Sequence, residues 1–193
     1  PWGGLFKIAP DGTVSVGAEY DGEPNGLKFH KDGRGFITCH KHGLMVLDPV
    51  SGAVTPFIER AGLERFKAVN DLVFAKNGDL YFTDQGQTGL QDPTGRLYRL
   101  RAGSDRLECL LGNIPSPNGL VLNKSENALF RAVTRANAIW KITLLPDGSI
   151  WPVQYQARPL NDGQHQLFFG RDMRLISVLQ QRLLMSEAFV AQA

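Results

Sequence analysis

Short apolar runs separated by turn residues recur along this chain, and their order repeats. Leu5–Ile8 and Thr13–Val16 flank Pro10-Asp11-Gly12, a hairpin turn with glycine available for a positive φ. A first full unit follows, with runs at Gly26–Phe29, Phe36–Thr38, Leu44–Leu47 and Val54–Ile58. Its turns are Lys31-Asp32-Gly33, His42-Gly43 and Ser51-Gly52. The second unit has runs at Leu72–Phe74, Leu80–Thr83, Leu97–Leu100 and Leu107–Leu111, and Asn77-Gly78 is its strongest hairpin signal. The third runs through Leu120–Leu122, Ala128–Ala132, Ala138–Thr143 and Ile150–Val153, with Pro146-Asp147-Gly148 before its last run. Polar and apolar residues alternate only partly within these runs. That is the pattern of strands covered on both faces.

The three units open alike. Residues 23–39 read EPNGLKFHKDGRGFITC, residues 68–84 read AVNDLVFAKNGDLYFTD, and residues 116–132 read SPNGLVLNKSENALFRA. Asn25, Asn70 and Asn118 head them, at spacings of 45 (70 − 25) and 48 (118 − 70). Leu27, Leu72 and Leu120 follow two residues later, and Lys31, Lys76 and Lys124 six residues later. A period of about 40–50 residues with about four strands per unit marks a β-propeller blade. The fold class expected is therefore all-β: an incomplete propeller of four-stranded blades over residues 1–155. Residues 156–193 form a divergent tail without the repeat. Within it, Met173, Ile176, Leu179 and Leu183 recur at three- and four-residue steps, which predicts a C-terminal helix around 171–190.

Composition removes several function classes. The 193 residues suffice for one domain with a sizeable core, and the net charge of +2 carries no basic stripe for nucleic acid. No stretch approaches the roughly 18 apolar residues of a membrane span. Cys39 and Cys109 form no CxxC pair and read as two free buried thiols. No GxSxG supports a serine hydrolase, and Gly86-x-x-Gly89 makes no phosphate loop. His40 and His42 share a strand face, but no third ligand is spaced to join them, so a solvent-facing turn is the reading preferred. The chain opens PWGGLF, without an initiator Met or signal peptide. It reads as the inside of a longer protein, and its compartment is not legible.

The segment from Trp2 to about Ile150 resembles the SMP-30/gluconolactonase/luciferin-regenerating-enzyme family. The residues that carry the resemblance are EPNGLKFHKDGRGFIT, GLMVLDPVSGAVTPF, VNDLVFAKNGDLYFTDQGQTG, DPTGRLYRL, SPNGLVLN and AVTRANAIWKI. The resemblance implies a six-bladed propeller with a divalent metal, often calcium, in its central channel. It also implies a lactonase acting on sugar lactones. A ring of six blades needs about 270 residues at this period, so three to four blades are expected here.

In the family the metal is held by a Glu, two Asn and an Asp from different blades. The two Asn match Asn70 and Asn118. The Glu would precede Pro1, and nothing after Val153 offers the Asp motif; Asn161-Asp162-Gly163 is only a faint echo. An Arg that often stands two residues before the first Asn is Ala68 here, with Lys67 beside it. The candidate assignment is thus Asn70 and Asn118 for metal, and Asn25, Lys67 and Asp84 for substrate, with no catalytic base named. Amide oxygens are hard neutral donors suited to calcium. Two bland readings stand beside this one: the Asn residues open turns at each inner strand, and Asp84 caps a turn. Three functions remain in view. They are part of a metal-dependent lactonase, a non-catalytic binding scaffold, and a phosphotriesterase- or arylesterase-like hydrolase. Open blade edges also predict self-association.

Overall fold

Each repeat folds as one antiparallel sheet. A computed structural model describes residues 3–87 and 89–151, and the backbone of the strands at 158–159 and 188–192. The strands are β1 (Gly3–Ile8), β2 (Val14–Tyr20), β3 (Pro24–Phe29), β4 (Gly35–Cys39), β5 (Gly43–Leu47) and β6 (Val54–Ile58). A small hairpin, β7 (Arg60–Ala61) and β8 (Glu64–Arg65), links the first repeat to the second. Next come β9 (Val69–Phe74), β10 (Leu80–Asp84), β11 (Gly95–Leu100) and β12 (Leu107–Ile114). The third repeat holds β13 (Pro117–Leu122), β14 (Ala128–Val133), β15 (Ala138–Thr143) and β16 (Arg158–Pro159), and β17 is Ala188–Gln192. The sheets run β3-β4-β5-β6, β9-β10-β11-β12, β13-β14-β15-β16 and β17-β1-β2. Three four-stranded blades and a three-stranded sheet make a partial propeller.

Strand periodicity explains the layering. Successive side chains leave a strand on opposite faces. From β4, Phe36 therefore packs toward the second blade with Leu72, Leu80 and Phe82, while Ile37 packs back against Leu5 and Ala18. From β10, Phe82 faces the first blade, whereas Tyr81 faces Leu120, Leu129 and Ile142 of the third. Every residue of β4 and β10 is buried, which is why the polar alternation was weak in the sequence. The turns are those expected. At Asn77-Gly78 the Gly78 amide donates to the Ala75 carbonyl at 2.9 Å, and Gly78 has φ 92°, a left-handed backbone that glycine adopts without steric cost.

Three expectations are corrected. The fourth strand of the third blade does not begin at Ile150: that residue makes one bridge to Leu144, and Arg158–Pro159 pairs with β15, while positions 152–153 of the expected strand lie outside the described residues. The helix expected over 171–190 lies outside the described residues as far as 187, and its last positions, 188–190, are strand. There β17 pairs with β1, from Gly4↔Gln192 to Ile8↔Ala188. The edge of β1 offers a row of backbone groups, and β17 pairs with it. Cys39 is buried and free as expected, but Cys109 is free and exposed.

A repeated hydroxyl joins the blades. Thr38 in β4 accepts from the Gly26 amide (2.7 Å) and donates to the Asn70 carbonyl (2.6 Å) of the next blade. Thr83 in β10 accepts from the Asp71 amide (3.2 Å) and donates to the Asn118 carbonyl (3.0 Å). In the third blade Arg131 pairs with Leu120 as Phe82 pairs with Leu72, so Ala132 takes the register position of Thr83. Thr38→Val is expected to destabilise by about 1–3 kcal/mol in urea denaturation, because it leaves a buried amide and a buried carbonyl without partners.

Candidate functional site

The blades meet along β3, β9 and β13, with β9 between the other two. Asn25, Asn70 and Asn118 each stand second in their strand, so the repeat brings all three to one end of the stack. Their surroundings differ. Asn70 is 3% exposed. Its Nδ2 donates to Gln85 Oε1 at 3.0 Å, and Gln85 Nε2 donates to Ser116 Oγ at 2.9 Å. Asn70 Oδ1 is buried and makes no hydrogen bond. Buried polar oxygens are rarely left so, and such an atom is available to a water, an ion or a ligand. Asn118, half-buried, turns its Oδ1 to the following Gly119 amide at 2.9 Å. The chain Asn70–Gln85–Ser116 thus runs from the second blade to the residue two before Asn118.

Asn25 is exposed, and its Nδ2 lies 3.0 Å from His40 Nε2. That contact assigns the acceptor role to Nε2 and the ring proton to Nδ1. Burial holds His40 below the ordinary histidine pKa, against the opposing pull of the Glu23 and Asp84 carboxylates. The ring is therefore neutral near pH 7. His42 lies apart from this group, with its Nε2 2.7 Å from the Asp21 carbonyl oxygen.

Lys67 and Asp84 take other partners. Asp84 is fully buried, and its carboxylate accepts the Lys67 amide at 3.0 Å and the Ala68 amide at 2.7 Å. It fixes the chain that enters β9. The Lys67 ammonium lies 3.9 Å from Glu64 Oε1, on the hairpin side. Asp71 sits between blades: Oδ1 accepts its neighbour's amide at Leu72 (2.8 Å) and Oδ2 accepts the Leu120 amide (3.2 Å). A Cβ on Gly26 would lie 2.7 Å from Asp71 Oδ1, so glycine there makes room for the acid. Burial raises the Asp71 pKa, with Lys28 and the two amides opposing the rise.

Gln85, Ser116 and His40 join the Asn residues here without having been singled out as site residues. His40 was visible as the first of the His40/His42 pair and is half-buried beside Asn25, where a solvent-facing turn was expected; for Gln85 and Ser116 the only signal was position. Gln85 directly follows β10, and Ser116 precedes Asn118 by two, as Ala68 precedes Asn70. Among the described residues no three of His, Cys, Asp and Glu cluster closely enough to hold a metal. The donors at this end are neutral amides.

The layered sheets agree in fold with known relatives of the chain. Residues 2–163 match the model of the SMP-30/Gluconolactonase/LRE-like region, and the chain belongs to that family. It is similar to the lactonase drp35 of Staphylococcus aureus, 29% identical over 156 residues, covering 76% of this chain and 46% of that protein. It is also similar to strictosidine synthase-like 13 of Arabidopsis thaliana, 30% identical over 119 residues, covering 56% of this chain and 30% of that protein. Among solved structures it resembles a gluconolactonase from Xanthomonas campestris, with TM-score 0.65 and 22% identity, covering 78% of this chain and 52% of that one. It likewise resembles regucalcin, a calcium-binding protein from Agrobacterium tumefaciens, with TM-score 0.60 and 18% identity, covering 76% and 48%. At these identities the structural likeness is one of fold. The chain spans about half the length of the drp35, gluconolactonase and regucalcin relatives.

Proposed function

We propose that the chain is part of a lactone hydrolase whose amide end faces a divalent cation, with calcium the best-suited ion. The observation that carries this reading is Asn70 Oδ1, a buried amide oxygen without a hydrogen bond and held in place through Nδ2. A hard cation takes six to eight oxygen donors, amide oxygens among them. Asn70 fits that role directly. Asn118 fits it once its Oδ1 leaves the Gly119 amide. A bound cation would polarise the lactone carbonyl and favour attack by water.

The protein's own residues supply the rest. Gln85 orients the Asn70 amide by accepting from its nitrogen, which leaves the oxygen directed to the ion. Asn25 is exposed beside neutral His40 and offers an amide and an imidazole to a sugar hydroxyl or ring oxygen. Membership of the family and the similarity to a lactonase and a gluconolactonase support the substrate class.

Thermal unfolding with and without calcium tests the reading. Calcium at ten times its dissociation constant is expected to stabilise the chain by about 1.4 kcal/mol, and Asn70→Ala to abolish the shift. No shift at millimolar calcium would remove the metal from the proposal. Turnover of a gluconolactone in preference to a phosphotriester is the expected activity. The reverse preference would move the assignment to a phosphotriesterase-like hydrolase.

A further inference from the structure

The first and second blades enclose a cavity of about 580 Å³ that none of the amide residues lines. It is lined by turns at the end of the blades opposite the amides and by the segment that follows β6. His30 and Arg34 bound the turn after β3, and residues 101–105 the turn after β11, whereas Asn25 and Asn70 lie near the starts of β3 and β9. The end of β6 and the β7–β8 hairpin form its outer wall. The floor is aromatic: Phe36 packs edge-to-face on Phe57 at 5.2 Å and on Phe74 at 5.1 Å. Volume and apolar lining both fall within the range of small-molecule sites.

The lining carries three guanidinium groups, those of Arg34, Arg60 and Arg101, against one carboxylate, that of Asp105. Arg34 stacks over Phe36 at 5.4 Å and is held by Asp32 at 2.7 Å. Arg101 is held by Glu108 at 3.0 Å. Arg60 differs. It stands directly across the ladder from Arg65, and among the described residues neither side chain makes a hydrogen bond or ion pair. Like charges opposed on a ladder cost stability, and an anion beside them relieves that cost. A guanidinium fork matches a carboxylate in shape as well as charge.

We propose that this cavity binds a flat aromatic carboxylate, with its ring on the phenylalanine floor and its carboxylate at Arg60. The site is independent of the amide end and of the lactonase reading.

Calorimetric titration of the chain with 2-naphthoate tests it, with 2-naphthylmethanol as the neutral probe of the same shape. Saturable 2-naphthoate binding is expected. The alcohol should bind about tenfold more weakly, and Arg60→Gln should weaken 2-naphthoate by about the same factor, the size of one charge-assisted contact. Arg60 is exposed, so the variant keeps its fold. Phe57→Ala should weaken both probes alike, and Asn70→Ala neither. Equal affinity for the two probes, unchanged affinity in Arg60→Gln, or no saturable binding at millimolar 2-naphthoate would overturn the proposal.

Discussion

Arg99→Ala is expected to lower the unfolding free energy by about 3–5 kcal/mol. The residue is 1% exposed, in the seam between the second and third blades. Its Nε donates to Glu108 Oε2 at 2.9 Å, and its Nη2 reaches the same oxygen. Its Nη1 donates to the Asp147 carbonyl at 2.6 Å, across the seam. Asp79 lies 4.0 Å away, with its Oδ1 accepting the Ala102 amide at 2.9 Å. The Tyr81 hydroxyl donates to the Gly148 carbonyl at 3.2 Å beside it. Truncation leaves the buried Asp79 carboxylate without its cation and the Asp147 carbonyl facing a cavity, whereas Glu108 keeps Arg101 and Arg106, and a buried charge without its partner is far costlier than a surface pair broken. Arg99 also holds the Glu108 carboxyl below its usual pKa range. Arg99→Lys should recover only part of the loss, because an ammonium cannot reach Glu108 and Asp147 in one plane. Urea denaturation of the two variants measures both effects.

Gly95→Ala is expected to cost about 3 kcal/mol, at the upper end for an added methyl, and to remove the calcium response as well. A Cβ there would meet Pro117 Cδ at 2.2 Å, the Ile114 carbonyl oxygen at 2.5 Å and the Gln85 carbonyl oxygen at 2.8 Å. None of these is the end of a flexible side chain. Something in the backbone must shift, and two of the three neighbours lead to the candidate site. Pro117 precedes Asn118, and Gln85 holds Asn70. Moving Gln85 also breaks its link to Ser116. Thermal unfolding with and without calcium separates the two consequences. A variant that loses stability but keeps the full calcium shift would mean that Gln85 and Pro117 do not set the positions of the two amides.

Much of this architecture was legible because it repeats. One Asn-to-Leu spacing, seen three times, located β3, β9 and β13, although each begins ahead of its apolar run, at Pro24, Val69 and Pro117, and Asn77-Gly78 located a hairpin by its need for a left-handed backbone. Features that occur once were not legible. The β7–β8 hairpin has two residues per strand, too few to carry a period. The pairing of β17 with β1 depends on an edge left free elsewhere in the fold, which no local window contains. Within the site, the Asn residues were marked by recurrence, whereas Gln85 and Ser116 were each a single polar residue at a strand end. Asp84 was read as facing a substrate because it ends β10 beside the Asn cluster. Sequence position could not indicate that two backbone amides occupy its carboxylate.

The hydroxyl joints carry one more implication. Thr38 and Thr83 seize the next blade through the main-chain carbonyls of Asn70 and Asn118, and not through their amide side chains. Every amino acid supplies that carbonyl. The joint is therefore indifferent to which residue stands at 70 or 118, and the side chain there can be exchanged without loosening the stack. Load-carrying and chemistry occupy the same positions but different atoms. A scaffold organised in this way can change its reactive groups one blade at a time, and so can acquire a new substrate without having to solve its folding problem again.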